Sequence, residues 1–174
     1  MVTASLRELL VRYKAIEFGE FTLASGAKST YYIDVKSAVT HPDLLAAVAK
    51  EVAETYDFDV IAGVAVGGVP LAVAVSLAGK KPFAIIRSSE KGHGKKDLII
   101  GDVRGKNVLL IEDVTTSGGS ALYGIEILRA AGARADRVVT VVDREQGAGQ
   151  MLREHGVAVI PLVRVSELLK SRDF

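Results

Sequence analysis

Short runs of Val, Ile and Leu recur along the chain, each bounded by Gly, Pro or Asp. Between them lie segments whose apolar residues return every three or four positions, the spacing of one helix face. The runs predict strands over 60–66, 82–86, 107–112, 137–142 and 157–163. The periodic segments predict helices over 70–78, over 119–131 closed by Gly132, and over 147–155 closed by Gly156. Each strand is continuously apolar rather than alternating, as strands buried on both faces are, so the pattern implies an α/β fold, doubly wound around a mostly parallel sheet. Nearer the N-terminus, Ser5-Leu6-Arg7-Glu8 has the form of a capping box for a first helix reaching about Lys14. Thr40-His41-Pro42-Asp43 opens a second helix, with Leu44, Leu45, Val48 and Val52 on one face.

Two segments break this alternation. Phe21 to Val35 holds a Ser-Gly turn between β-prone pieces and predicts a hairpin beside the main sheet. Arg87 to Lys106 is a long connection between core strands, containing Lys91, His93, Lys95 and Lys96 around Gly92 and Gly94. Connections of that length are usually functional lids or disordered spans.

Composition narrows the function classes. The 174 residues suit a single domain, and 49% hydrophobic with 25% charged residues suits a globular core. A net charge of +1 gives no support to nucleic-acid binding. Cys is absent, which excludes disulfides, thiolate nucleophiles and zinc-thiolate sites. Val60 to Gly79 is uncharged and long enough to span a membrane, but Gly63, Gly67, Gly68 and Pro70 divide it into a strand, a turn and a helix. With charged residues also in the first helix, no signal peptide is expected, and the implied compartment is cytoplasmic.

The strongest chemical signal is Val108-Leu-Leu-Ile-Glu112-Asp113-Val114-Thr115-Thr116-Ser117-Gly118-Gly119-Ser120. A buried strand meets two acids, a loop of hydroxyls and glycines, and then a helix. Amides at a helix N-terminus, joined by hydroxyls, cradle a phosphate monoester. No Gly-Lys-Ser/Thr follows, so this is not a Walker loop. Glu112 and Asp113 can accept hydrogen bonds from sugar hydroxyls, and a sugar 5-phosphate matches this order of groups; an acidic, hydroxyl-rich helix cap has the same composition. In an open parallel sheet, ligands sit beyond the carboxyl ends of the strands. Gly67-Gly68, Arg87, Glu112-Asp113 and Asp143-Arg144 all fall at such ends. Gly67 and Gly68 suit either bare amides facing a second phosphate-like group or a tight turn. Arg144 suits an anionic substrate or an internal ion pair. His41 and His155 read as surface residues.

The acid-hydroxyl-glycine segment resembles the phosphoribosyl-pyrophosphate motif of the type I phosphoribosyltransferases. Phe18-Gly19-Glu20-Phe21-Thr22-Leu23-Ala24-Ser25-Gly26 with Ser29-Thr30-Tyr31-Tyr32-Ile33-Asp34, and Val142-Asp143-Arg144-Glu145-Gln146-Gly147, resemble signatures of the orotate phosphoribosyltransferase family. The likeness spans residues 16 to 165. It implies the type I fold on one domain, 1–174, with a small N-terminal hood over about residues 1–40 and a mobile catalytic loop at 87–106. It implies transfer of phosphoribose to N1 of orotate, giving orotidine 5′-phosphate and pyrophosphate, in pyrimidine (UMP) synthesis.

By the same resemblance, Thr115, Thr116, Ser117, Gly118, Gly119 and Ser120 hold the 5-phosphate, and Glu112 and Asp113 the ribose hydroxyls. Arg87, Lys91 and His93, with Gly67 and Gly68, meet the pyrophosphate; Asp113, Lys91 and His93 are the implied catalytic residues. Thr116, Arg144, Tyr32 and Ile33 receive orotate. Mg²⁺ is expected as the substrate's chelate, without a protein metal cage, and the loop is expected to cross a homodimer interface. Ser88 stands where many relatives carry a second basic residue, and Ala24 and Gly67 stand where some bacterial members carry lysine, which puts contacts to base and pyrophosphate there in question. A transferase for a purine or uracil, and a non-catalytic phosphoribosyl-pyrophosphate sensor, are the competing readings. Neither nucleic acid nor membrane is an expected partner.

Overall fold

The computed structural model describes residues 4–22, 26, 28–88 and 98–170. Its element order begins with α1 (Leu6–Arg12), β1 (Ile16–Thr22), β2 (Lys28–Ile33), α2 (Val35–Ala38) and α3 (Pro42–Thr55). Next come β3 (Val60–Val64), α4 (Gly68–Gly79), β4 (Phe83–Ile86) and β5 (Ile99–Ile100). The C-terminal half is β6 (Val108–Thr115), α5 (Gly119–Ala130), β7 (Arg137–Asp143), α6 (Ala148–Glu154), β8 (Ala158–Arg164) and α7 (Val165–Lys170).

The main sheet runs β5-β4-β3-β6-β7-β8, parallel throughout except for the antiparallel edge strand β5. The strand alternation of β6 shows why its sequence is apolar throughout. Leu109 and Ile111 pack into one core with Leu44, Val48 and Val52 of α3 and Leu71 and Val75 of α4. Val108 and Leu110 pack into a second core with Ile125 and Leu128 of α5 and Leu152 of α6. Helices therefore cover both faces. Each fully buried aliphatic side chain contributes about 1.5–3 kcal/mol by leaving water. The stretch from Val60 to Gly79 is divided into β3 and α4, and among the described residues no helix is long and apolar enough to cross a membrane.

Local signals explain several boundaries. Ser5 Oγ accepts from the Glu8 amide at 3.3 Å and Glu8 Oε2 accepts from the Ser5 amide at 2.7 Å, completing the capping box. That helix stops two residues short of Lys14, which takes a left-handed φ of 55°. The hairpin starts earlier than expected, at Ile16, and pairs Ile16 with Ile33 in a two-stranded sheet of its own. Strand β3 ends at Val64 rather than residue 66, and α4 begins at Gly68. Strand β6 continues to Thr115, because its ladder with β7 persists to the Thr115–Asp143 pair. The 87–106 connection holds β5, which ties its later part to β4. One-turn α2, two-residue β5 and α7 are too short or too weakly periodic to be foreseen.

Topology also locates the crevice. The chain passes from β3 outward to β4 on one side, then returns to β6, β7 and β8 on the other. The strand order reverses between β3 and β6, and in open α/β sheets ligands bind at the carboxyl ends beside that reversal. Close backbone packing holds the two strands' ends there: a Cβ on Gly63 would lie 2.3 Å from the Gly68 carbonyl oxygen, and one on Gly68 would lie 2.7 Å from that of Ile111.

Gly63→Ala should therefore destabilise the protein by about 3 kcal/mol in urea denaturation, since backbone must move to admit the methyl. Gly149, in α6 with nothing within 4 Å of an added Cβ, is the control. Gly149→Ala should be neutral or more stable by roughly 0.5–1 kcal/mol. Equal stability of Gly63→Ala and wild type would contradict the close β3–α4 approach.

Candidate active site

The two acids lie inside the last turns of the β6 pleat, not in a loop beyond it. Strand periodicity sends them to opposite faces of the sheet. Glu112 turns toward α5, where its Oε1 accepts from Ser120 Oγ at 3.0 Å. Asp113 turns toward the hairpin layer, where Lys36 Nζ stands 3.4 Å from Oδ2. That approach is an ion pair without hydrogen-bond geometry, so Oδ2 is buried with no hydrogen-bond partner among the described residues. Both acids are almost out of water, at 4% and 5% exposure.

Burial is the leading reason that Glu112 is pushed up to about 7, with the Asp113 charge adding to the rise; Ser120 and Lys36 oppose it. Near neutral pH this carboxyl is therefore poised between acceptor-only and donor forms.

Beyond Thr115 the chain enters the turn that starts α5. Gly118, the N-cap, has φ 90°, a conformation that glycine adopts without strain. The segment Val114 to Ala121 encloses a recess, open to the amides of the helix start. The end of β7 braces this turn. Thr115 Oγ1 donates to Asp143 Oδ1 at 3.0 Å, Arg144 N donates to the Thr115 carbonyl at 2.9 Å, and Ala148 N donates to that of Thr116 at 3.1 Å. The Glu145 amide also donates to Asp143 Oδ1, at 3.1 Å.

A second cavity of about 380 Å³ adjoins the first and shares Val114, Thr116 and Ser120 with it. Glu112, Asp113 and Arg144 line one side, and Tyr32 to Lys36 the other. Arg144 Nε is buried and has no hydrogen-bond partner among the described residues. An orphaned guanidinium donor is costly unless a ligand meets it. A planar anion is the ligand its fork suits best. The internal ion pair allowed for Arg144 is not formed: among the described residues, no salt bridge involves it.

The structure thus gathers Glu112, Asp113, Thr116, Ser120, Arg144, Tyr32 and Ile33 around one cavity, and Thr115 to Gly119 around its neighbour. Gly67 adjoins them, since a Cβ there would lie 2.7 Å from the Asp113 carboxyl. Gly68 is occupied by its contacts with Gly63 and Ile111, which favours the tight-turn role for that glycine. Arg87 is exposed at the end of β4, outside both cavities, with its carbonyl accepting from Tyr123 Oη at 2.9 Å. Lys91, His93 and Ala24 lie outside the described residues. His41 and His155 are exposed and line neither cavity. Lys36 and the bracing role of Asp143 were not foreseen. The Asp34-x-x-Ser37 cap spacing was the available signal for the short helix that carries Lys36.

Among the described residues no group of three or more His, Asp or Glu could hold a metal ion. The donor set, two carboxylates with one oxygen lacking a hydrogen bond among the described residues, suits a polyol or a cation that brings its own ligands.

Comparison with known proteins agrees with this geometry. A phosphoribosyl transferase domain model matches residues 35–161. The orotate phosphoribosyltransferase of Methanocorpusculum labreanum is 65% identical over 162 residues, covering 93% of this chain and 96% of that protein. The crystal structure of orotate phosphoribosyltransferase from Aeropyrum pernix superposes with a TM-score of 0.84 at 30% identity, covering 97% of this chain and 98% of the other. That of the Mycobacterium tuberculosis enzyme in complex with phosphoribosyl pyrophosphate has a TM-score of 0.74 at 27% identity, covering 94% and 89%.

The raised pKa of Glu112 yields a stability prediction. The neutral form is favoured in the fold, so its benefit is complete below about pH 4.5 and is lost as pH rises through about 7. Glu112→Gln keeps an oxygen for Ser120 and never ionises. Relative to wild type it should match at pH 4 and become more stable by up to about 3 kcal/mol at pH 8. A stability difference that does not change between those pH values would show that burial does not govern this carboxyl.

Proposed function

The chain belongs to the orotate phosphoribosyltransferases, and on that premise we propose how its residues divide the work. The reaction moves phosphoribose from phosphoribosyl pyrophosphate to N1 of orotate, a step of pyrimidine synthesis. The bond from the anomeric carbon to pyrophosphate breaks with its electron pair on the leaving oxygen, and N1 supplies the pair for the new bond and releases its proton to solvent. No covalent nucleophile is needed; positioning and charge stabilisation suffice.

The carrying observation is the joint occupancy of one cavity wall by two buried acids and an orphaned guanidinium. Thr115 to Ser120 hold the 5-phosphate at the start of α5, where amides and helix dipole favour an anion. Glu112 and Asp113 accept from the ribose 2- and 3-hydroxyls and stand beside the positive charge that develops on the ring. Arg144 pairs with the orotate carboxylate, with Thr116, Tyr32 and Ile33 around the base. Arg87, Lys91 and His93 neutralise the departing pyrophosphate. Asp113, whose Oδ2 has no hydrogen-bond partner among the described residues, would face the polyol of a substrate carrying chelated Mg²⁺, and that ion would supply further neutralisation of the leaving group. Purine and uracil lack the carboxylate that would match Arg144.

Arg144→Ala tests the acceptor assignment. It should lower kcat/KM for orotate roughly 30- to 1000-fold while leaving phosphoribosyl-pyrophosphate affinity nearly unchanged. Parallel loss for both substrates would make Arg144 structural. Equal turnover of adenine, hypoxanthine or uracil by the wild type would remove the specificity argument.

The working unit is a homodimer in which the Lys91 and His93 segment serves the partner's site, a reading supported by the family resemblance and by the span between β4 and β5. Refolding Asp113→Ala with Lys91→Ala tests it. Half the dimers are then mixed, each with one intact composite site, so about a quarter of wild-type activity should return. No recovery, with mixed dimers confirmed by mass, would assign the segment to its own subunit.

A further inference from the structure

Lys36 has a place in this site that neither the phosphate cradle nor the orotate contact explains. It sits on α2, a single turn whose position is fixed from two directions. Val35 and Ala38 are buried in the core shared with α3, α4 and β6. Asp34 caps the turn, accepting from the Ser37 amide at 3.0 Å and from Ser37 Oγ at 2.6 Å. The remaining face carries the Lys36 ammonium to the cavity wall, 3.4 Å from Asp113 Oδ2.

An ordinary surface ion pair contributes little to stability. This pair is asymmetric: the lysine side chain is 64% exposed, its partner 8%. Moreover, the contact leaves Oδ2 without a hydrogen bond among the described residues. The ammonium therefore biases where that carboxylate oxygen lies while leaving its lone pairs available to a ligand. Among the described residues, no other cation forms a salt bridge with either buried acid. From the other side, access is kept by Gly67, where any side chain would strike the same carboxyl.

Resting on the phosphoribosyl-transfer reading, we propose that Lys36 is a positioning residue for phosphoribosyl pyrophosphate. Its ammonium aims Asp113 at the ribose hydroxyls and offsets the repulsion between the two acids that receive them. Glu112 is faced by Asp113 on its own strand, by Lys36 from α2 and by Ser120 from α5, while Asp34 and Arg144 line the same cavity. Lys36 acts to lower the Glu112 pKa, so its removal must move that titration to higher pH.

The experiment compares wild type, Lys36→Met and Lys36→Arg by steady-state kinetics across pH, with circular dichroism and thermal melting as folding controls. Lys36→Met should raise KM for phosphoribosyl pyrophosphate roughly fivefold with kcat within about twofold. The acid limb of kcat/KM, which reports groups of the free enzyme, should move up by on the order of half a pH unit. Lys36→Arg should restore both. A folded Lys36→Met with unchanged KM and an unmoved limb would overturn the proposal, as would an arginine variant no better than methionine. A wild type that neither binds phosphoribosyl pyrophosphate nor consumes orotate would instead overturn the phosphoribosyl reading, and this role with it.

Discussion

Two carboxylates held nearly out of water at the end of the central strand are the constraint around which this site is built. Burying one ionised acid is unfavourable, and burying two side by side adds their repulsion. The strand pleat eases this by sending Glu112 and Asp113 to opposite faces, so each meets its own partner, Ser120 or Lys36. The compensation is incomplete: Glu112 is still pushed up to about 7, and Asp113 Oδ2 still has no hydrogen-bond partner among the described residues. In the proposed reading, a sugar with two adjacent hydroxyls would supply the missing donors. Binding would then complete what folding leaves unfinished, turning the unmet cost in the free protein into affinity and orientation.

The surroundings serve the same end. β6 is central in the sheet, buried on both faces by α3 and α4 on one side and α5 and α6 on the other. Such a strand offers rigid support, which matters when small displacements of reacting groups cost rate. The end of β7 locks the turn after β6 through Asp143, and Arg144 follows directly from that lock with its Nε unpartnered among the described residues. One brace therefore sets the position of both the hydroxyl-glycine turn and Arg144, the groups proposed to meet the phosphate and the acceptor's anion. Without a nucleophile to arrange, geometry of this kind is the protein's main contribution to the chemistry.

Much of this was legible along the chain. Continuous apolar runs implied a sheet buried on both faces, because period-2 amphipathicity disappears when neither face meets water. Ser5 and Glu8 marked a helix start, and the order of acids, hydroxyls and glycines after Val108 marked the cradle, because these are local relations within a few residues. Arg144 was marked by its place at a strand end. Lys36 was not, because its importance comes from Asp113, far along the sequence and brought near only by packing of α2 on β6.

By itself the sequence determined the α/β class, the exclusion of thiol chemistry and the residues able to meet phosphate, sugar and carboxylate, since those depend on side-chain identity and short-range periodicity. Tertiary structure alone decided that the two acids diverge across the sheet, that β6 extends through them to Thr115, and that Gly67 must stay bare against Asp113. It also decided that Arg144 Nε would be buried with no hydrogen-bond partner among the described residues and that Lys36 would lean on the acid pair. Those outcomes depend on solvent exclusion and on distances between residues remote in the chain, and neither quantity exists until the layers have packed.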